Sequence, residues 1–257
     1  ARYTGLLTVM GFLCADLKDY VQLCSQSVGD MSGWMQAIFP LLVTLLAAVG
    51  GTASSAFYQP AGMAAAGSMT TLIQHVTMPF AVGVAVLTMA GGLSDNVRLS
   101  RLCRLVRQIA NWTLGFGFTV FIGVMSVQGL SAAAVDGVSI RTAKYAIIPI
   151  VGGMFADTVD TLVGCSLLVE NAVGVLGLLV LLLKLLTPLL RTVAALFLYR
   201  SASAVLQPVA DSPLCRCIGE FGEVFSLLFI IELSVGAMFM LLCAEMLTVG
   251  TMTVMLR

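Results

Sequence analysis

Residues 172–199 read AVGVLGLLVLLLKLLTPLLRTVAALFLY, a run in which Lys184 and Arg191 are the only charges. A hydrocarbon core about 30 Å thick is crossed by about 20 apolar residues of helix, so the run is long enough to enter a bilayer. The energetics agree: a mid-helix lysine costs about 2.5 to 3.5 kcal/mol, and each surrounding Leu or Val returns about 0.3 to 0.6 kcal/mol. Lys184 is expected to reach an interface with its ammonium. Pro188 is expected to divide the run into two crossings, 172–186 and 188–206.

The whole chain has the same character. Of its 257 residues, 13 are Lys or Arg, 13 are Asp or Glu, and 59% are hydrophobic; the mean hydropathy is +1.03. Charged residues make up 10%, against about 25% in a soluble domain. A chain this size cannot hide so much apolar surface from water. The sequence therefore reads as an all-α polytopic integral membrane bundle, one transmembrane domain over 1–257. Zero net charge leaves no footprint for nucleic acid, and disorder would need the opposite composition. There is no GxSxG, HExxH or GxxxxGKS/T motif, and the single histidine, His75, leaves little acid–base apparatus. The chain is read as non-enzymatic, without cofactor or metal, and His75 as a residue packed between helices. The seven cysteines are expected to be small buried hydrophobes rather than a disulfide framework. Cys215 and Cys217 lack the second pair that a zinc site needs. The first apolar run, residues 3–14, is too short to cross; the start reads as truncated, and no signal peptide is assigned.

Residues 38–57, between Trp34 and Tyr58, fit one crossing with amphipathic rings at both headgroup levels. Residues 76–93 fit another, kinked at Pro79 and extended back through the small residues of 61–67. Residues 112–130 fit a third behind Trp112, and 225–254 a last one, longer than the core, whose ends protrude or bend. Between 94 and 111, Arg98, Arg101, Arg104 and Arg107 recur every third residue, with Leu99, Leu102, Leu105, Val106 and Ile109 filling most of the remaining arc. That pattern predicts an interfacial amphipathic helix lying flat on the cytoplasmic face. It would serve as a generic anchor, or as a docking surface for a partner or anionic lipid.

The chain also matches itself. Pro40, Leu41, Leu42, Thr44, Ala47, Ser55, Ala56, Gln59 and Pro60 recur 148 residues later, from Pro188 to Pro208. Upstream, Gly11, Ala15, Asp16, Asp19, Cys24, Ser25 and Val28 recur 141 residues later, from Gly152 to Val169. This internal two-fold repeat divides the chain into halves of about 10–93 and 151–242, joined by the arginine helix and a span over 94–150. In each half the prolines are expected to mark the ends of a crossing. Repeats of this kind are typical of transport proteins whose paths lie between halves. Whether the halves are inverted or parallel depends on the parity of crossings.

Acids within such a chain are the candidate chemistry. Asp157 and Asp160, like Asp16 and Asp19, share a helix face at three-residue spacing. They line an ion path, or sit hydrated near the start of their segments where the helix dipole favours negative charge. Glu232 and Glu245 lie 13 residues apart, about 20 Å along a helix, so at least one reaches well into the hydrocarbon unless protein or a wet cavity shelters it. Glu232 is the candidate for a polar lumen or an inter-subunit contact.

With these motifs together, the chain resembles the stage III sporulation protein AE family of endospore-forming bacteria. The resemblance rests on the Pro-Leu-Leu span ending at Gly50-Gly51, Ser94 with the Leu-x-x-Arg-Leu run, and Thr119-Val120-Phe121 with Gly123. It continues through Gln128-Gly129, Asp136-Gly137-Val138-Ser139, Thr142-Ala143-Lys144, Ile148-Pro149-Ile150-Val151-Gly152 with Asp157 and Asp160-Thr161, and Gln207-Pro208 with Asp211. Lys184 and Arg191 depart from the pattern. The resemblance implies a multi-pass cell-membrane subunit, in the mother-cell membrane around the forespore, of a transenvelope channel. Its implied partners are membrane lipid, ring-forming proteins, an ATPase and further copies of itself. It carries over no catalytic residue, and makes the segment from Asp136 to Lys144 a pore-facing or partner-facing loop, or a solvated connector. An ion-coupled secondary transporter using Asp157, Asp160 or Glu232, and a structural anchor for partner rings, are the alternatives.

Overall fold

The structure, a computed structural model, describes the backbone over 2–49, 52–93, 97–146, 152–208 and 213–255. Side chains are described over the same ranges except 2–7, 52–53, 57–59, 92–93, 97–100, 130–146, 152–163, 213–214, 216 and 253–255. Every regular element there is helical: α1 (Arg2–Val49), α2 (Thr52–Leu72), a π-turn (Ile73–Thr77), α3 (Met78–Leu93), α4 (Val97–Ala146), α5 (Gly152–Leu206) and α6 (Pro213–Met255). Among the described residues, five helical stretches are long and apolar enough to cross a membrane: Thr8–Val49, Ser54–Gly91, Arg101–Gly129, Gly164–Leu206 and Cys217–Met252.

The sequence pattern explains which faces turn inward. On α1, Met10, Leu17, Cys24 and Met31 are buried at seven-residue intervals, and so are Val28, Met35, Leu42 and Val49. This is the spacing that keeps a knobs-into-holes seam facing its neighbours. α6 is the more deeply packed helix: 56% of an apolar 18-residue part of it is buried, against 28% for α5. Gly222 and Gly236 bring α6 close to α5: a Cβ on Gly222 would stand 3.1 Å from Arg200 Cγ, and one on Gly236 would overlap Leu185. Numbers rise along α6 as they fall along α5, so the two form an antiparallel hairpin whose backbones approach through small residues.

The residues fall into two compact units: 1–30, 69–118 and 184–236, and 31–68, 119–183 and 237–257. Each unit draws on both of the sequence halves. In the first unit, Cys103 on α4 meets Thr88 of α3 at 3.3 Å, and Cys14 of α1 meets Met89 of α3 at 3.0 Å. In the second, the ring of Phe39 lies over Gly62 of α2.

Several expectations are corrected here. The expected crossing over 38–57 runs through residues 50 and 51, which lie outside the described residues; on either side of them the chain is helical, to Val49 and from Thr52. The run 172–206 is one helix, not two crossings, and Pro188 lies inside it. Pro40 and Pro60 are likewise internal to α1 and α2, so these prolines do not mark ends; only Pro208 follows a helix end. A packed membrane helix tolerates proline because neighbours re-satisfy the freed carbonyl. At Pro79, which cannot bond back to residue 75, the preceding turn widens instead: Met78 donates to the carbonyl of Ile73, five residues back. His75 in that turn is exposed rather than packed between helices. The arginine segment runs without interruption into the span that follows it. Asp136 to Lys144 is part of α4, not a loop.

Candidate functional site

Three helices of the first unit build a charged network. Arg107 on α4 donates from Nη1 to Glu223 Oε2 at 3.0 Å, and Arg200 on α5 donates from Nη2 to Glu223 Oε1 at 3.0 Å. Gly222 makes room for it, since a side chain there would press on Arg200. Next to Arg200, the Tyr199 hydroxyl donates to Asp16 Oδ2 of α1 at 2.8 Å. The ring of Tyr199 stacks on Phe225 at 4.8 Å, and Phe225 meets Tyr20 edge-on at 5.0 Å. Offset and edge-to-face ring pairs of this kind add about 0.5 to 1.5 kcal/mol beyond burial. The aromatic layer separates the charged network from what lies further along α6.

Nine residues beyond Glu223 on α6, about 13 Å, stands Glu232, with 0% exposure. Cys24 of α1 and Thr192 of α5 are its polar neighbours. Thr192 bonds to the carbonyl of Pro188 at 3.1 Å, and the Cys24 thiol lies 3.9 Å from that of Leu228. Neither Glu232 oxygen has a hydrogen-bond partner in the structure. A carboxylate so placed costs several kcal/mol unless a proton or cation accompanies it. Glu232 faces its own chain rather than an outer surface.

The second unit holds another such group. Glu170 on α5 is 1% exposed with both oxygens unbonded, lying against Gly250 of α6, where a Cβ would come within 2.5 Å of Oε1. Glu245 is half-buried, with Oε2 unbonded. Among the described residues, no three His, Cys, Asp or Glu side chains converge on a possible metal position.

The structure thus brings Arg107 and Glu232 into unit 1, and leaves Arg101 and Arg104 exposed on α4. The side chains of Asp157, Asp160, Asp136, Lys144 and Arg98 lie outside the described residues, although their backbone is helical. Sequence reasoning missed Glu170, Glu223 and Arg200. The signal for two of them was present: Gly222, Gly236 and Gly250 recur at 14-residue intervals on α6, and Arg200, Leu185 and Glu170 of α5 lie against them.

Among the described residues every regular element is helical, and five long stretches are apolar enough for a bilayer, with carboxylates sealed between them; these are the features of helical membrane proteins. The model of the stage III sporulation protein AE family matches residues 1–250. A stage III sporulation protein AE from Bacillus subtilis (strain 168) is 33% identical over 240 residues. That alignment covers 92% of this chain and 60% of the relative. The chain belongs to this family, which is named for a stage of sporulation and not for a reaction. No solved structure matches it.

Proposed function

We propose that this chain is a multi-pass membrane subunit of a sporulation transenvelope channel or export apparatus between mother cell and forespore, and that it acts without catalysing a reaction. The observation that carries the reading is the outward face of α5. Leu168, Leu176, Leu183, Leu190, Phe197 and Val205 all stand exposed along it, an apolar surface that needs lipid or another subunit. Ring-forming proteins, an ATPase and further copies of the chain are the partners that the family resemblance implies. Asp157, Asp160, Asp136 and Lys144 are the other positions proposed for its polar path or its contacts.

An ion-coupled transporter is the second reading, favoured by the sealed carboxylate of Glu232. Liposomes containing the purified chain separate them. Under the channel reading they conduct small ions, and Glu232→Gln still conducts. Under the transporter reading Glu232→Gln abolishes gradient-driven uptake while assembly persists. Liposomes that pass nothing by either route overturn both and favour a structural anchor.

A further inference from the structure

Next to the aromatic layer of the first unit, three helices place one polar side chain each at a common level. Tyr20 meets Phe225 and Cys24 approaches Leu228, so α1 and α6 run in the same direction, with α5 running against them. Cys24 lies four residues after Tyr20 on α1, Glu232 seven after Phe225 on α6, and Thr192 seven before Tyr199 on α5. Each step is one or two helical turns, and all three lead away from the same ring cluster. None of the three residues is more than 1% exposed. Leu228, Ile231 and Val235, which flank Glu232 on α6, are apolar and fully buried.

Charge is kept to the other side of the rings. Asp16 precedes Tyr20, Arg200 follows Tyr199 and Glu223 precedes Phe225. The polar groups that face Glu232 from the helices packed on it are Cys24 of α1 and Thr192 of α5, of which Cys24 is titratable.

The directions of the hydrogen bonds at this level decide which form of Glu232 fits. Thr192 commits its hydroxyl hydrogen to the carbonyl of Pro188 at 3.1 Å, and Cys24 aims its thiol hydrogen at the carbonyl of Leu228, 3.9 Å away. What each has left for Glu232 is a lone pair. An ionised carboxylate only accepts, and neither Glu232 oxygen has a donor, so the charged form faces acceptors in an apolar shell. A protonated carboxyl carries a donor, and Thr192 Oγ1 is the acceptor beside it. A sodium ion is served less well, since Cys24 offers soft sulfur rather than oxygen and both carbonyls are already engaged.

We infer that Glu232 is a dehydrated proton-binding site, held in the folded chain as a carboxylic acid whose O–H donates to Thr192 Oγ1. Binding moves one proton from water onto one carboxylate oxygen and leaves no net charge at this level of the bundle. The inference rests on the burial of Glu232 and on the two hydrogen-bond directions, and not on the channel or transporter reading.

Infrared spectra of the purified chain in lipid at neutral pH read the protonation state directly, because a carboxylic acid and a carboxylate have separate stretching bands. Subtracting the spectrum of Glu232→Gln from that of the unaltered chain should leave the carbonyl band of one protonated carboxyl. Thr192→Val removes the acceptor and should move that band to higher frequency. Exchanging potassium for sodium in the buffer should leave it unchanged. Carboxylate bands in the difference spectrum overturn the inference, and so does a carbonyl band indifferent to Thr192→Val. A band that turns into carboxylate in sodium gives the site to that cation and overturns the proton. Should Glu232→Gln fail to fold, the shift with Thr192→Val carries the test alone, and its absence overturns the inference. None of these readouts involves uptake or conductance, so the inference and the functional readings fail separately.

Discussion

Gly222, Gly236 and Gly250 show how much a single missing Cβ decides in this chain. At Gly250 an added Cβ would meet Glu170 Oε1 at 2.5 Å and its Cδ at 2.8 Å, and a fully buried side chain has nowhere to go. Gly250→Ala is expected to destabilise by about 1 to 3 kcal/mol, the usual cost of overpacking. Gly67→Ala, where a Cβ meets nothing within 4 Å, should be neutral or stabilising by up to about 1 kcal/mol from helix propensity. Apparent melting in detergent checks the pair, and a drop at Gly67 as large as that at Gly250 would refute the packing argument. Glu232 gives the opposite expectation. Both its oxygens are unbonded although Cys24 and Thr192 stand beside it, so Glu232→Leu should leave the melting temperature unchanged or raise it, as when buried charge is replaced by apolar volume. A loss above about 3 kcal/mol, the cost of breaking a buried pair, would show that a bonding partner is being lost. Glu232 was legible because an acid inside a strongly apolar run is conspicuous. Glu170 was not, because the crossing was read from residue 172 onward and the acid fell just outside it.

At the scale of elements, burial of thiols offers a direct check on the helix faces. Cys14 and Cys165 are exposed, while Cys24, Cys103, Cys215, Cys217 and Cys243 are buried. A small permeant maleimide should therefore modify two cysteines in the folded, detergent-extracted chain and all seven after denaturation; rapid reaction at Cys24 or Cys243 would contradict the seams of α1 and α6. The sequence spoke clearly for helices and for lipid, since composition and long apolar runs depend on no tertiary detail. It misplaced boundaries for a physical reason: proline was read as an end, as it is in water, where a freed carbonyl lacks neighbours to cover it. Pro40, Pro60 and Pro188 instead sit inside helices packed on other helices. For the arginine segment, periodicity gave the amphipathic face but could not show that its helix runs straight on into the next span.

On the scale of the whole molecule, unit 1 gathers the first part of α1, the end of α2 with the π-turn and α3, the start of α4, the end of α5 and the start of α6. These are the ends that share one side if each of the five apolar stretches crosses once, so alternation of direction is already written into the contacts. With Arg101, Arg104 and Arg200 near those ends, the positive-inside rule predicts that such a side would face the cytoplasm. α5 supplies the decisive measurement. Residues 165 and 204 are 39 positions apart on one helix, about 58 Å, more than the 40 to 45 Å of a whole bilayer. In a chain stripped of other cysteines, Cys165 alone should react with an impermeant maleimide only from the outer side of the membrane, and Ala204→Cys alone only from the cytoplasmic side. A hairpin bent at Pro188 would place both on the same side. Labelling of the two from one face would therefore restore the two-crossing reading of residues 172–206, and with α6 would give the second half of the chain an odd number of crossings.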